Sequence, residues 1–443
     1  METKKILILA YDFPPYVSVG GLRPFNWFKY LNEFGVYPIV VTRQWNNDFG
    51  NELDYVSASH KTTPISERND LGKIIRTPYK PNFSNRLLMK YGHERFVFLR
   101  KSITAFYELT QFFFPIGPKV QLYREAQRFL RENKVDVIIA TGDPFILFEY
   151  ASKLSKEFDT PWIADYRDPW SQNKSNKLNH GFSFLNKFLE KRSLKNVNCI
   201  STVDQIFKTK ISSLLPNKQF HILPNGFDPE ALDEVKHIDQ SSEILQIAFV
   251  GTIYEWHPIR SFLHTLCRYV VQFPDAKIKL NFYGINNSSE IALLISNDYP
   301  LLKNYVSITS KLANNLLLEA LAKNNVMLLF NYYAYTGTKI YDYIGIRRKI
   351  IMCYSNDEEA KVLKKKHYNI DSNSDADERL QERIILDSQS GVVLENADSL
   401  FDELVKLQEE FARNKKIECN SVNVENYSRK IQVKKLAEII KSL

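Results

Sequence analysis

Two doubly wound α/β domains are what this sequence predicts. The prediction rests on its length, the alternation of short apolar runs with helical stretches, and the restart of that alternation after a polar segment. A chain of 443 residues exceeds what one hydrophobic core supports and fits two domains of about 200 residues each. With 44% hydrophobic and 25% charged residues, its composition is that of a globular protein and excludes a disordered or fibrous chain.

In the first half the strand candidates are KILILAY (5–11), YPIVVTR (37–43), VDVIIATG (135–142), PWIADYRD (161–168), VNCISTV (197–203) and HILPNG (221–226). Their apolar residues run together instead of alternating, as strands buried on both faces require, so a parallel sheet covered by helices is expected. After DPEALDEVKHIDQSSE the pattern resumes with ILQIAFVG (244–251), IKLNFYG (278–284), VSITS (306–310), VMLLFN (326–331), KIIMCYS (349–355) and GVVLEN (391–396). The domains are therefore placed at 1–228 and 244–425, with 229–243 as linker and a final helix in 426–443 that returns to the first domain. Two such domains facing a cleft would set the carboxyl ends of both sheets, where ligands bind, against one gap.

Cys199, Cys267, Cys353 and Cys419 show no CxxC spacing, which argues against a zinc knuckle or disulfide framework and fits a reducing cytoplasm. METKKILILAY runs into Asp12 and two prolines without the apolar core and small-residue cleavage site of a signal peptide, so it reads as a first strand. ITAFYELTQFFFPIGP is interrupted by Glu108 and Pro115 and falls short of the roughly 20 apolar residues that span a bilayer. The net charge of +8 is uneven, with 32 Lys+Arg against 22 Asp+Glu in residues 1–228 and 27 against 29 in the remainder. Residues 73–134 alone hold 13 basic and 4 acidic side chains, interleaved with Phe98, Phe106, Phe112, Phe113 and Phe114. Such a stretch suits peripheral contact with an anionic membrane or a phosphate-bearing substrate, the alternative being solvated faces of amphipathic helices. No binding motif supports nucleic acid.

Four places carry candidate chemistry. DFPPYVSVGGLRP predicts a helix starting near Leu22–Pro24, with Gly20 and Gly21 allowing close approach of a ligand and Arg23 adding a charge to the anion-attracting helix start; a plain strand-to-helix turn is the alternative. FVGTIYEWHPI places Gly251 and Thr252 at the carboxyl edge of the second sheet. In YTGTKIYDYIGIRRKII (335–351), Thr336, Gly337 and Thr338 lead into a helix whose unpaired amides can receive a diphosphate, and Lys339 reinforces the field. Asp342, one turn further in, is placed to accept both hydroxyls of a ribose. Arg260 and Lys311 are candidates to neutralise the leaving diphosphate. Asp168, beside Arg167 and Trp170 at the end of PWIADYRD, is the favoured acid/base or acceptor-orienting group, with a cap or a salt bridge as its alternative. Asp143 in ATGDP is the second candidate, or else an N-cap, and Asp165 is expected to face a neighbour within its strand. His180, His221 and His257 are isolated and read as structural or surface residues.

Taken together, these segments resemble GT-B glycosyltransferases of the family 4 type. GTKIYDYIGIRRKII is similar to the stretch in which that family places a glutamate, a glycine-rich turn and a strand. PPYVSVGGLRPFNWFKYL resembles its acceptor-side glycine loop, LPNGFDPE its interdomain signature, FVGTIYEWHP the start of its nucleotide-binding domain, and ADYRDPWS a stretch from a bacterial surface-polysaccharide branch. The resemblance implies two Rossmann-like domains. It also implies that Asp342 binds the donor ribose, that the amides of 336–338 bind the pyrophosphate with Gly251 and Thr252 opposite, and that Asn225 and Gly226 form a hinge near the cleft. Two departures stand out: Asp342 replaces the family's glutamate, and Ala334 occupies the position of a second glutamate that would orient the transferred sugar.

The expected activity is transfer of a sugar from a nucleotide-diphosphate donor to a glycan or lipid-linked acceptor, with retention implied by the resemblance. Such catalysis consists largely of holding leaving-group charge and positioning a hydroxyl. No HExxH and no convincing DxD cluster occurs, so neither metal nor cofactor is expected. The expected location is cytoplasmic, peripheral on the inner face of the membrane. Two other classes stay open. A nucleotide-sugar epimerase would need acidic and histidine side chains clustered together, and the loss of the second glutamate at Ala334 speaks for a non-catalytic transferase-like partner.

Overall fold

The long apolar runs of the first half form one sheet in the computed structural model, which describes residues 3–16, 18–46, 52–172, 177–332, 336–368 and 379–443. Its strands are β1 (Lys4–Leu9), β2 (Val36–Arg43), β3 (Ile65–Arg68), β4 (Lys73–Thr77), β5 (Val137–Gly142), β6 (Trp162–Tyr166), β7 (Cys199–Thr202) and β8 (Gln219–Ile222). They lie in the order β3-β4-β2-β1-β5-β6-β7-β8. All pairings are parallel except that of β3 with β4. β3 and β4 are additions to the expected strands. ISER, the edge strand, has a single apolar residue and is solvated, while KIIRT lies inside it with only Ile74, Ile75 and Thr77 buried, a run too short to stand out. Glu67 pairs with Arg76 across the two strands at 3.2 Å.

The second half gives β9 (Leu245–Val250), β10 (Ile278–Tyr283), β11 (Val306–Thr309), β12 (Val326–Phe330), β13 (Lys349–Cys353) and β14 (Gly391–Leu394). Their order is β11-β10-β9-β12-β13-β14, parallel throughout. Each of these strands falls within a run read from the sequence, because both faces are covered. Phe249, Leu280 and Leu328 belong to one core cluster, while Ala248, Met327 and Leu329 belong to another. Both units are thus Rossmann-like α/β layers.

The chain divides into two units, Met1–Pro224 with Lys430–Leu443, and Asn225–Arg429. Residues 229–243, expected to form a linker, belong to the second unit. Pro229–Asp233 is a helix capped by the Asp228 side chain, and Leu232 and Val235 are buried with Phe227 in that unit's core. The polar composition of the stretch hid Leu232 and Val235. The final helix, Arg429–Ser442, sets Val433, Leu436, Ala437 and Ile440 into the core of the first unit beside Trp27 and Leu31. Lys430 also pairs with Glu33 at 2.6 Å.

In each sheet the strand order reverses once, between β1 and β5 and between β9 and β12. Connections on the two sides of such a point lead away in opposite directions, leaving the carboxyl ends of those strands open to ligands.

Since Leu436 is fully buried, Leu436→Ala is expected to destabilise the protein by about 2–5 kcal/mol. Urea unfolding followed by circular dichroism measures the loss, and an unchanged midpoint would contradict this docking.

Candidate functional site

In the second unit the reversal brings together the loop after β9 and the loop after β12. Gly251 follows β9 with φ +90°, and a Cβ built on it would lie 3.7 Å from Lys339 Cε. Thr252 is partly exposed beside it. Gly337 has φ +65°, a conformation that a side chain resists, and faces the Tyr332 ring. Lys339–Ile346 forms the helix, with Thr338 at its cap position and no side-chain bond to the first amides. Those amides are therefore not satisfied by a side-chain cap, the condition under which a helix start receives an anion. Lys339 Nζ lies 3.9 Å from Asp342 Oδ2 one turn on, and both side chains keep open surface. Tyr343 fixes the helix to the strand by accepting the Val250 N–H at 3.0 Å.

Gln381 holds the loop from behind. It accepts the Tyr332 N–H at 2.8 Å and donates to the Thr336 carbonyl at 2.9 Å. The sequence reading missed it, since a single glutamine far along the chain carries no local signal. Ala334, the position of the missing glutamate, lies outside the described residues.

Two expected cations have other places. Arg260 is bound to Asp298 at 2.6 Å on the surface, because the helix Ile259–Gln272 turns its first exposed position toward the neighbouring helix. Lys311 stands past the end of β11, against Gly284, with β10 between it and β9. Lys339 is the cation that the fold brings to Gly251.

Beside this loop Tyr254 and Trp256 stack at 4.4 Å. His257 is buried beneath them, accepts the Tyr254 N–H through Nδ1 at 3.2 Å, and is pushed by burial down to about 3. It is a neutral, structural histidine, as expected. Burial also lowers His221, and the His180 side chain lies outside the described residues.

In the first unit the helix starts at Val19, earlier than the expected Leu22–Pro24, because Ser18 is a better cap than any later residue. Ser18 Oγ accepts the Gly21 N–H at 2.9 Å and donates to Asp12 Oδ2 at 2.9 Å. Gly20 and Gly21 thus lie inside the first turn, and the Gly21 amide, expected to meet an anion, is already bonded. Gly20 is needed for close approach, since a Cβ there would lie 2.0 Å from Arg167 Nη1 and 2.9 Å from Asp12 Oδ2.

Arg23 also departs from expectation. It is buried, binds Asp165 through Nε and Nη2 at 2.8–3.1 Å, and donates to the Leu223 carbonyl at 2.7 Å. Asp165, fully buried, further accepts from Thr141 at 2.9 Å and Ser201 at 2.7 Å. This network ties the first helix to β5, β6 and β7, and makes Arg23 a structural residue.

Around Arg167 stand three carboxyl groups, Asp12 after β1, Asp143 after β5 and Asp168 after β6. Arg167 Nε donates to the Gly142 carbonyl at 2.9 Å and Nη2 to that of Asp143 at 2.5 Å. Burial raises Asp12, opposed by the Ser18 bond and Arg167 and reinforced by Asp143. Asp143 and Asp168 keep open side-chain surface, yet surrounding protein displaces enough water to raise both, Asp143 against Lys119 and Arg167, and Asp168 against Arg167 with help from Asp143. The Phe145 amide bonds Asp143, but the helix Ile146–Phe158 has Phe145 at its cap position and no side-chain cap bond, so Asp143 is not its N-cap. Asp12 was overlooked as a site residue although its signal, a carboxylate directly after the first apolar run, was in plain view. Tyr16 stacked on Trp45 at 4.0 Å borders the same end of the sheet, backed by buried Arg43, whose guanidinium lies 4.1 Å from the Trp45 ring.

No protein-family model matches this chain, and no curated protein sequence does. Solved structures match over nearly its whole length. Sucrose-phosphate synthase from Thermosynechococcus elongatus has a TM-score of 0.59 at 12% identity, covering 99% of this chain and 98% of that one. An alpha,alpha-trehalose-phosphate synthase (UDP-forming) from Burkholderia vietnamiensis has a TM-score of 0.58 at 10% identity, covering 99% and 100%. An E. coli trehalose-6-phosphate structure bound with UDP-2-fluoro glucose has 0.54 at 8%, covering 99% of each. The chain shares the two-unit GT-B fold of these proteins.

Because Asp165 is sealed in the core, Asp165→Asn leaves Arg23 without its charge partner and is expected to cost about 3–5 kcal/mol. Denaturant midpoints of the two proteins test this, and equal midpoints would remove the network's structural role.

Proposed function

We propose that the chain is a nucleotide-sugar-dependent glycosyltransferase that moves a sugar from a nucleoside-diphosphate donor to a glycan or lipid-linked acceptor. Within the GT-B fold the reading places it with the family 4 type, in surface polysaccharide or glycoconjugate synthesis, with retention. The observation that carries it is the helix start at Thr338 and Lys339, uncapped by a side chain, beside the Gly251 backbone with Asp342 one turn in. Uncapped amides and an ammonium suit a diphosphate, and a carboxylate at that height suits ribose hydroxyls. The UDP sugar named with one structural neighbour supports the same donor class.

Leaving-group charge is held by the amides of 336–338 and by Lys339. The acceptor hydroxyl is oriented in the first unit by Asp168, with Asp143 and Asp12 around Arg167. Asn225 and Gly226, where the chain passes from one unit to the other, are the hinge of this reading. Neither metal nor cofactor is part of it. Peripheral contact with an anionic membrane through residues 73–134 belongs to it, as does a place on the inner face of that membrane.

Thermal shift against UDP, GDP and CDP tests the donor site, since a ligand at 100 times its Kd stabilises the native state by about 2.7 kcal/mol. At least one diphosphate is expected to raise Tm. Asp342→Ala is expected to weaken that nucleotide by about 10- to 100-fold through loss of charged hydrogen bonds. No shift with any of the three would sink the assignment.

Asp168→Asn is expected to lower kcat by about 100-fold or more while leaving Tm intact. The raised pKa means that the folded state holds this proton more tightly than the unfolded chain, so ionisation at neutral pH adds no native stability. For the same reason the acid limb of the rate profile lies above the ordinary aspartate value of about 3.9, with activity rising as pH passes through it. A limb at or below that value would remove Asp168 from the role.

A further inference from the structure

The basic, aromatic stretch 73–134 divides in the structure. β4 lies within the sheet, and the helix Val120–Glu132 buries Val120, Leu122, Ala126 and Leu130. Between them stands a hairpin of two helices, Phe83–Tyr91 and Val97–Thr110, followed by 111–114. The 14-residue second helix buries none of its residues, although a helix of a globular domain ordinarily buries one face. What joins the two helices is polar: Ser84 Oγ donates to the Arg100 carbonyl at 3.0 Å and lies 2.9 Å from Thr104 Oγ1. Most of the rings are left outside, Phe112, buried against Trp170 at 5.3 Å, being the exception. Phe98 is 86% exposed, Phe114 61% and Phe106 59%. Of 24 large hydrophobic side chains exposed among the described residues, 11 fall within 83–114. Surfaces that meet only water scatter such residues singly.

The same hairpin carries uncompensated positive charge. Arg86, Lys90, Arg95 and Lys101 are exposed, and none of them forms an ion pair among the described residues. Glu108, one of two acidic residues in the segment, is already held by Lys119 at 2.9 Å. Arg86 lies 5.7 Å from the Phe83 ring and Lys90 5.2 Å from that of Tyr91, pairs of the kind that place a ring at the acyl boundary and a cation among headgroups.

We propose that the hairpin 83–114 seats on an anionic lipid bilayer, its phenylalanines in the interface and its cations on the headgroups. A second copy of the chain would set like cations against each other across a two-fold contact, whereas anionic headgroups neutralise them. The hairpin also ends next to the carboxylates of the first unit. Glu108, in its last turn, and Lys119 both act electrostatically on Asp143. On the transferase reading, on which this last step alone rests, the bilayer presents a lipid-anchored acceptor beside Asp143.

Co-sedimentation of the full chain with phosphatidylcholine vesicles, with and without phosphatidylglycerol, tests the surface in the absence of any donor, so its outcome is separate from that of the nucleotide screen. Binding is expected to be at least about tenfold tighter with the anionic lipid, and weaker at high salt. Lys90→Glu with Lys101→Glu, and separately Phe98→Ser with Phe106→Ser, are each expected to lower it about tenfold or more at unchanged Tm, because these side chains are exposed. Val271→Ser with Leu293→Ser, on exposed positions of the second unit, is expected to leave it unchanged. The proposal is overturned by absence of binding, by equal binding to both vesicles, by equal loss in the second-unit control, or by hairpin variants that bind as the parent does. Sedimentation velocity showing a dimer that the phenylalanine variants dissociate, with no vesicle binding, assigns the surface to a second copy instead.

Discussion

The structure depends on one constraint: parallel strands must be joined by crossovers, and a sheet that grows outward from its first strand in both directions has one place where the crossovers part. In the first unit that place lies between β1 and β5, in the second between β9 and β12. The backbone just past those strands is where a side chain or amide can be presented without a helix above it. Asp12 and Asp143 occupy it in one unit, Gly251 and the 336–339 turn in the other. The buried Arg23–Asp165 network and the Gln381 clamp both serve it, by fixing the helices and loops on either side.

Although the two units repeat one architecture, they differ in the sign of what they present. In the second unit the helix start carries no side-chain cap and has an ammonium next to it, a combination that attracts anions. In the first, Ser18 already satisfies the helix start and in turn binds Asp12, and three carboxyl groups gather around one guanidinium that is engaged by backbone carbonyls. Carboxylates in that arrangement repel a diphosphate and accept from hydroxyls. The difference between the two units therefore follows from the capping residue as much as from the charges: Thr338 makes no side-chain bond to the first amides of its helix, whereas Ser18 accepts the Gly21 N–H.

Much of this was legible in the sequence, for physical reasons that also mark where legibility ends. Strands buried on both faces announce themselves as unbroken apolar runs, which is why every strand of the second sheet lay inside a predicted segment and why β3, solvated at the edge, and β4, with only two apolar residues, did not. The polar look of 229–243 concealed Leu232 and Val235, because two anchors suffice to bury a short helix. Gly337, Lys339 and Asp342 were readable since a helix start is a local signal. Arg23 was misread for the opposite reason. Its partner Asp165 lies 142 positions away, and nothing local distinguishes an arginine that faces a ligand from one that closes a core. Gln381 was invisible on the same ground, its partners Tyr332 and Thr336 being 49 and 45 positions distant.

The hairpin at 83–114 poses the converse problem, residues whose presence folding does not explain. A helix that buries none of its side chains gains little from tertiary packing, and isolated helices of about this length are marginal in water. Phe98 and Phe106 on it add exposed apolar surface. The hairpin is anchored through the Glu108–Lys119 pair and through Phe112, stacked on Trp170 at 5.3 Å, contacts that leave most of its other rings outward. The proposed bilayer contact gives such a surface, set next to the carboxylates, a medium other than water to meet. On that proposal the cations set among the rings call for a medium that is negatively charged where it begins.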